Sequence, residues 1–196
     1  RKRLIWSLAM MGSPAARKAM FAIYTKEPHD QVQTHFVESL VLGLYPEDLP
    51  DFDAKVRTPA KEKDRVGQQL ADNRRIKAQL ELIGECKDNI DCYAQVLQDD
   101  GQGDLREMFR KEKAALMLGQ SKPPQDKYFQ IALDTMKKTS SSAANLRIYL
   151  FSAIAHHATS QHLDALLEYR RELAREETRA SMGTELEMLS VALEPR

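Results

Sequence analysis

The sequence contains few of the residues that build metal and covalent sites. Its 196 residues include two cysteines and five histidines. A structural zinc site needs four ligands, and no second Cys or His pair stands at a suitable spacing beside the two cysteines. The HExxH arrangement of metalloproteases, a nucleophile elbow and a complete phosphate-binding loop are also missing. The sequence therefore predicts no metal site, no cofactor and no enzymatic activity.

Long apolar runs and an excess of charge of one sign are absent as well. Hydrophobic residues make up 42% of the chain and charged residues 30%, an ordinary soluble composition that argues against a membrane span. The formal net charge is zero, with fourteen Lys/Arg against ten Asp/Glu in residues 1–78 and fifteen against nineteen in 79–196. Neither part has the sustained basic excess of a dedicated nucleic-acid binder.

The chain does contain a repeated fragment able to form one helix. The fragment is HFVESLVLG at 35–43 and KEKAALMLG at 111–119, and it returns in altered form as LRIYLFSAIA at 146–155 and TELEMLSVAL at 184–193. In each copy the apolar residues are spaced for burial on more than one side. This periodicity predicts an all-α fold, namely an α-solenoid of stacked antiparallel helix pairs.

These fragments resemble the HEAT-repeat family, including the bacterial HEAT-like proteins of the phycobilin-lyase type. KEKAALMLG is similar to the family's second helix and SPAARKAM at 13–20 to its first, and the resemblance covers about 13–43 and 86–193. The family's aspartate and valine–arginine signals remain only in altered form, as HDQVQTHF and AANLRIYLF. An armadillo-like or tetratricopeptide array is the alternative. The resemblance implies an α-solenoid scaffold and leaves the ligand open.

Breakers and caps divide the chain into segments. Ser13-Pro14 opens a helix expected to reach Tyr24, and a second helix should cover 30–44. The stretch 45–64 holds three prolines and is expected to be an irregular insertion between repeats. Helix should resume at about Asp64 and continue through Glu85. Further helices are expected at about 90–97 and 105–118, in 124–138, in 142–158 after N-cap hydroxyls from Ser140 to Ser142, and in two segments of 160–193.

The chain begins RKRLIWSLAMMG, without an initiator Met, in a pattern that already predicts a helix. Its apolar run is at the short limit for a signal sequence, and helical pattern continues directly after it. We therefore favour a structural helix. We expect residues 1–196 to form a single HEAT-like helical-repeat domain that is a fragment of a longer array.

Cys86 and Cys92 stand six residues apart in GECKDNIDCYAQVL. Polar, turn-forming residues surround both thiols, a poor setting for core cysteines, so we predict a Cys86–Cys92 disulfide. Two reduced, half-buried thiols are the alternative. A disulfide would imply export to an oxidising compartment such as the periplasm, whereas reduced thiols would suit the cytoplasm.

His156 and His157 are the histidines that most invite a metal hypothesis. Adjacent residues on a helix point about 100° apart, so these two cannot easily chelate one ion. Side chains near a helix C-terminus often hydrogen-bond free carbonyls, which is the interpretation we prefer for both.

The stretch 54–78 is basic, with eight Lys/Arg against three Asp/Glu. It lacks aromatic residues on which bases could stack, so an acidic protein is a better candidate partner than nucleic acid. The side chains expected to contact this partner are Arg65, Arg74, Arg75 and Lys77. A solvated helix face with no partner is the alternative.

Together these features predict a non-catalytic protein–protein interaction scaffold whose second helices line a concave binding face. Two alternatives belong to other classes: a nucleic-acid-binding solenoid like the repeat-built glycosylases, and a chromophore-lyase-like enzyme. A glycosylase should carry Trp or Tyr beside a carboxylate on that face, whereas the sole Trp6 lies near one end of the sequence.

Overall fold

The computed structural model of the protein describes residues 2–24, 30–57, 73–99 and 104–175. Throughout these ranges the regular structure is helical and contains no strand, which confirms the predicted all-α class. The described residues form ten α-helices, namely α1 Lys2–Met11, α2 Pro14–Tyr24, α3 Asp30–Gly43, α4 Leu49–Phe52, α5 Arg74–Cys86, α6 Ile90–Gln98, α7 Leu105–Gln120, α8 Asp126–Lys138, α9 Ala144–His157 and α10 Leu163–Arg175. In this described part, no helix has the length and apolar composition needed to cross a membrane.

The chain divides into two compact units, and the boundary between them falls within α7. The N-terminal unit consists of Arg1–Asn89 and Gly101–Lys113, and the C-terminal unit of Ile90–Asp100 and Ala114–Arg196. Helices α1 to α5 and the first half of α7 therefore belong to the N-terminal unit. The C-terminal unit contains α6, the second half of α7, and α8 to α10.

The core of the N-terminal unit lies where α1, α2 and α3 pack together, with α5 against α3. Its apolar side chains recur three or four residues apart along each helix, so each helix buries one side. Fully buried large members of this core include Met20, Phe36, Leu40, Phe52, Ile76 and Ile83. Burial of these side chains supplies most of the free energy that holds the unit together, at roughly 1.5–3 kcal/mol for each large side chain.

Local sequence explains where the first helices begin and end. Gly12 adopts a positive φ of 59°, a conformation that favours glycine, and so it turns the chain out of α1. The Ser13 hydroxyl then accepts a hydrogen bond of 3.2 Å from the Ala16 amide, and Pro14 occupies the first turn of α2. The predicted helix from Pro14 to Tyr24 is confirmed.

The predicted helix from Asp64 through Glu85 is wrong at Asn73, where the structure begins a new helix. Asn73 has an extended backbone, and its Oδ1 accepts a hydrogen bond of 2.9 Å from the Arg75 amide, so Asn73 is the N-cap that begins α5. A helix continuous through position 73 is incompatible with this conformation, because an N-cap residue lies outside the helical geometry. The segment 64–72 lies outside the described residues.

The stretch predicted as an irregular insertion is more helical than expected over its first half. Pro46–Asp48 forms a 3₁₀ turn, α4 follows, and Asp53–Arg57 forms a π-helical turn. Pro46 and Pro50 stand in first turns, where the missing proline N–H removes no helical hydrogen bond. Residues 58–64 lie outside the described part.

In the C-terminal unit α8 packs against α9 and α6. The prediction that the helix over 146–157 is buried on more than one side is confirmed, because Leu150 and Phe151 are both buried although they point in different directions. Gly119 permits a close approach in this unit, since a Cβ there would lie 3.2 Å from the backbone nitrogen of Ala153 in α9.

The predicted serine cap of α9 is wrong. Ala143 is the N-cap, and no side chain caps the helix at this position. The Ser140 hydroxyl instead lies 2.9 Å from the Ser142 hydroxyl and accepts the Ser142 amide at 3.3 Å, so these serines stabilise their own turn. The final helix predicted near 184–193 lies outside the described residues.

Candidate functional site

Lys113 is the least expected side chain of the N-terminal unit, because it is fully buried. It projects from α7, and its ammonium donates hydrogen bonds to the carbonyls of Leu42, at 2.7 Å, and Leu44, at 2.5 Å. These carbonyls lie at and just beyond the last turn of α3, where backbone acceptors have no partner within the helix. Lys113 therefore supplies the hydrogen bonds that the end of α3 lacks.

Burial lowers the pKa of Lys113 to about 7, because a low-dielectric interior disfavours the ammonium form. Two charged groups of the same unit modify this effect. The Asp48 carboxylate favours the ammonium, whereas the Arg17 guanidinium opposes it. The net result is a lysine that changes its charge near neutral pH.

Arg17 is a second buried charge, and it contacts several other polar and charged groups. Its guanidinium donates to the Gly12 carbonyl at 2.7 Å and to Glu47 Oε1 at 2.6 Å. Its Nε lies 2.6 Å from Asp48 Oδ2, a close ionic contact without the alignment of a hydrogen bond. The guanidinium also lies over the Tyr45 ring, 4.2 Å from the ring centroid. Burial is the main reason that the pKa of Tyr45 is raised.

A cleft of about 480 Å³ opens beside this group of charges, between α2 and the helical turns of 46–57. Its lining is mixed, with Pro14, Phe21 and Ala22 as the apolar part and Arg17, Lys18, Glu47, Asp48, Asp51 and Lys55 as the charged part. Lys55 pairs with Asp51 at 2.8 Å, and Arg17 pairs with Glu47 and Asp48. Because the positive and negative groups largely satisfy each other, the lining does not select a ligand of one charge.

The structure separates the predicted basic patch into different environments. Arg74 and Lys77 are exposed on α5. Arg75 instead contacts α7, where its guanidinium donates to Glu112 Oε2 at 2.6 Å and lies 5.6 Å from the Phe109 ring centroid. Arg65 lies outside the described residues. Of the predicted contact residues, only Arg74 and Lys77 therefore have a described position that exposes their charge to a partner.

Two further ion pairs join α5 to α7 within the N-terminal unit. Arg106 pairs with Glu81 at 2.8 Å, and Arg110 pairs with Glu85 at 2.6 Å. The hydrogen bond from Arg110 lowers the pKa of Glu85 and raises that of Arg110. Together with the Arg75–Glu112 pair, they make three ion pairs between α5 and α7. The charged side chains of these pairs therefore contact each other across the two helices.

Helix α1 presents an apolar surface to solvent, a feature that the sequence analysis did not single out. Leu4 is 60% exposed, Met11 66% and Trp6 38%, whereas Ile5 and Ala9 on the same helix are buried. Leu8 is partly buried against the core. Leu4 and Met11 stand seven residues apart and lie on one side of the helix, whereas Trp6 lies on another side. Large exposed apolar side chains concentrated on one helix commonly mark an interface.

The cysteine prediction is confirmed, since the structure pairs Cys86 and Cys92 as a disulfide and leaves no free thiol. The setting of Cys86 differs from the expectation of an exposed polar loop, because this residue closes α5 and is buried. Lys87, which follows it, has a positive φ of 49° and a ψ of −127°. That conformation is strained for a residue with a side chain and belongs to the turn that the disulfide closes.

His156 and His157 do satisfy carbonyls, but these lie at and just beyond the end of α7 rather than in their own helix. His157 Nδ1 accepts the Gln125 amide at 3.1 Å, so Nε2 carries the proton and donates to the Leu118 carbonyl at 2.9 Å. His156 Nε2 donates to the Ser121 carbonyl. Burial lowers the pKa of His157, which favours this neutral tautomer.

The described residues contain no group of three His, Cys, Asp or Glu side chains arranged to hold a metal ion. We found no family model, no curated protein and no solved structure that matches the chain. The candidate site is therefore assigned from physical features alone. Among these features, the exposed apolar surface of α1 is the one that packing within the fold does not explain.

Proposed function

We propose that the chain is a non-catalytic protein-binding module of stacked helix pairs, and that α1 provides its main binding surface. The observation that carries this proposal is the distribution of exposed apolar side chains. Five large hydrophobic residues are exposed in the described part, and three of them, Leu4, Trp6 and Met11, lie on this one short helix. Trp and Met are enriched at protein interfaces, and Trp is a frequent hot spot.

Two glycines support the stacked arrangement that the HEAT-like resemblance implies. A Cβ at Gly43, the last residue of α3, would lie 3.0 Å from the Cα of Ala9 in α1. Gly119 makes a similarly close approach to Ala153, which lies in the later helix α9. Both glycines end a copy of the repeated fragment, so each copy uses a side-chain-free position for close packing against another helix of its unit. Close packing between neighbouring helices at a recurring small residue is expected of a stacked helical repeat.

Arg74 and Lys77 form a secondary part of the proposed surface. Their exposed charges would attract an acidic partner and raise the rate of association more than the final affinity. Nucleic acid is the alternative partner, but binding through a few exposed Arg and Lys side chains would be weak and strongly salt dependent. The double variant Arg74→Glu/Lys77→Glu should slow association with a protein partner while leaving helical content unchanged by circular dichroism. Tight duplex binding that resists physiological salt would support the nucleic-acid alternative instead.

A site-specific photo-crosslinker at position 11 tests the proposal directly. In an extract of the source cells, a photoreactive residue at Met11 should give a saturable adduct with a discrete protein, and Leu4→Ser should abolish it. The matched control carries the same group at Leu163, which is also exposed but lies in the C-terminal unit. Equal labelling at both positions, or none at position 11, would contradict the proposed function.

A further inference from the structure

The segment between α7 and α8 has few hydrogen-bond donors of its own. Its sequence is SKPPQ at 121–125, and Pro123 and Pro124 have no N–H. Gln125 is the N-cap of α8, and no side chain caps this helix. The Gln125 amide is therefore the last backbone donor before α8 begins, and its acceptor helps to fix where the helix starts.

That acceptor is the ring of His157, which lies at the end of α9 in the same C-terminal unit. Its Nδ1 accepts the Gln125 amide at 3.1 Å, and its Nε2 donates to the Leu118 carbonyl at 2.9 Å. The Ser121 hydroxyl donates to the same carbonyl at 2.9 Å and lies 3.4 Å from Nε2. One buried imidazole therefore joins the end of α7 to the start of α8.

Only the neutral ring can make both of these hydrogen bonds. In a neutral imidazole one nitrogen accepts and the other donates, whereas both nitrogens of an imidazolium are donors. Protonation of Nδ1 would place its N–H against the N–H of Gln125, so this hydrogen bond would be lost. The bond from Nε2 to the Leu118 carbonyl would remain. Acid would therefore detach the Gln125 side of the ring and leave the α7 side attached.

In the described part of the unit, the titratable groups that contact the ring carry no negative charge at neutral pH. On α9 the neighbour is His156, with ring centroids 4.7 Å apart, and on α8 it is Tyr128, with ring centroids 5.4 Å apart. The end of α7 contributes the Leu118 carbonyl and the Ser121 hydroxyl. None of these groups is a counter-ion for an imidazolium.

The charged side chains at the start of α8 have other partners. Asp126 Oδ1 lies 3.6 Å from His162 Nε2, and Lys127 Nζ lies 2.5 Å from Asp91 Oδ1. Lys122, within the segment itself, is exposed. A proton on the buried ring would therefore gain no paired carboxylate.

The pKa of His157 agrees with this geometry. Burial is the main reason that the pKa is lowered, the hydrogen bond to Leu118 opposes the effect, and His156 adds to it. An unfolded histidine titrates at 6.5, so the open chain takes up the proton before the native ring does. Opening therefore has its full cost above pH 6.5 and becomes easier as pH falls below this value.

From these contacts we infer that His157 is an acid-sensitive switch, which holds the 121–125 segment and the start of α8 when its ring is neutral and releases them when the ring is protonated. The opening is local, because α8 and α9 also pack together through their apolar sides. The switch lies in the C-terminal unit, so it is a property separate from the binding surface proposed on α1.

Hydrogen exchange of individual amides, followed by NMR on the full chain, tests this switch. After correction for the intrinsic pH dependence of exchange, the protection factor of the Gln125 amide should fall at least roughly tenfold from about pH 7.5 to about pH 5. The amides of Leu150 and Phe151, in the middle of α9, should keep their protection. Nitrogen shifts of the His157 ring should show the Nε2–H tautomer at about pH 7.5 and should titrate together with the loss of protection.

Two variants separate His157 from its neighbour. His157→Asn keeps an acceptor near the position of Nδ1 but does not titrate, so protection of its Gln125 amide should not depend on pH. The matched control His156→Gln keeps a donor near the position of the Nε2 that contacts the Ser121 carbonyl, and it should respond to pH as the wild type does. Circular dichroism at about pH 7.5 checks that both variants are folded. If His157→Asn does not fold, the exchange and ring titration of the wild type decide the outcome.

Four results would overturn the inference. The first is Gln125 protection that does not change down to about pH 5, and the second is an equal loss in the wild type and in His157→Asn. The third is a parallel loss of protection throughout α9, because the whole unit would then unfold rather than open locally. The fourth is an Nδ1–H tautomer at neutral pH, since the ring would then lack the acceptor on which the switch depends.

Discussion

Replacing Lys113 with methionine should change how the stability of the protein depends on pH. The substitution keeps an unbranched side chain in the buried site and removes the titrating amine. It also removes the hydrogen bonds to the carbonyls of Leu42 and Leu44, and this part of the effect lowers stability by about the same amount at every pH. That constant loss is not the test, because the informative quantity is the difference between the two pH profiles.

The magnitude follows from the lowered pKa. An unfolded lysine titrates at 10.5, whereas Lys113 in the folded protein titrates at about 7. Between these values the unfolded chain binds a proton that the native state does not, so the free energy of unfolding rises with pH. Below pH 7 both states are protonated and the full cost of the buried ammonium is present. The slope approaches 1.36 kcal/mol per pH unit, which gives roughly 2–3 kcal/mol between pH 6 and pH 9.

Urea denaturation at several pH values measures this difference. The free energy of unfolding of the wild type, minus that of Lys113→Met, should grow by roughly 2–3 kcal/mol from pH 6 to pH 9. Subtracting the two profiles cancels the titration of groups that both proteins share. Asp48 and Arg17 also act on the amine, so neither may be altered in the comparison. The control Lys77→Met removes an exposed lysine of α5 and should run parallel to the wild type.

Parallel profiles for Lys113→Met and the wild type, within about 0.5 kcal/mol, would refute the reasoning. Such a result would mean that the amine of Lys113 reaches water or a compensating negative charge in the folded protein. A difference that shrinks with rising pH would reverse the sign and would require a pKa raised, rather than lowered, by folding.

Two further predictions concern packing and the disulfide. Gly43→Ala should lower the free energy of unfolding by about 1–3 kcal/mol, because the added Cβ would approach the backbone of Ala9. Gly84→Ala in α5 should raise it by up to about 1 kcal/mol, because nothing lies within 4 Å of its Cβ. Chemical denaturation of both variants checks the contrast, and equal effects would contradict the close contact at Gly43. Intact mass after alkylation should show no modified thiol in Cys86 or Cys92 unless the protein is first reduced, so two alkylated thiols in unreduced native protein would oppose the disulfide.

The helices whose signals are local could be predicted from the sequence. Ser13, Pro14 and the apolar spacing after them act within a few residues, so the start of α2 followed from sequence alone. The same local reasoning failed at Asn73 and at Ser140 to Ser142. Several polar residues compete to end or begin a helix there, and packing decides which one does.

The buried charges could not be assigned from the sequence, because their partners are distant along the chain. The two carbonyls that Lys113 contacts belong to residues about seventy positions earlier. In KEKAALMLG this lysine resembles a solvent-exposed residue that precedes an apolar run. One signal was present: Lys113 stands three and four residues before Leu116 and Met117, so it shares the buried face of α7 with them. The exposed apolar surface of α1 was equally hidden, since spacing alone cannot distinguish a helix buried on one side from a helix buried on both sides.

The ion pairs show why formal charge is a poor guide to the binding surface of this protein. Counting residues gave a basic excess in 54–78, but Arg75 is held by Glu112, and the neighbouring Arg106 and Arg110 of α7 are held by Glu81 and Glu85. Charges that are paired between two helices are already compensated, so they add little to the electrostatic potential at the surface where a partner would bind. The same holds around α2, because Glu47, Asp48 and Asp51 line the same cleft as Arg17 and Lys18. For this reason the exposed apolar side chains of α1, rather than the stretch with the largest formal charge, define the main binding surface proposed for this protein.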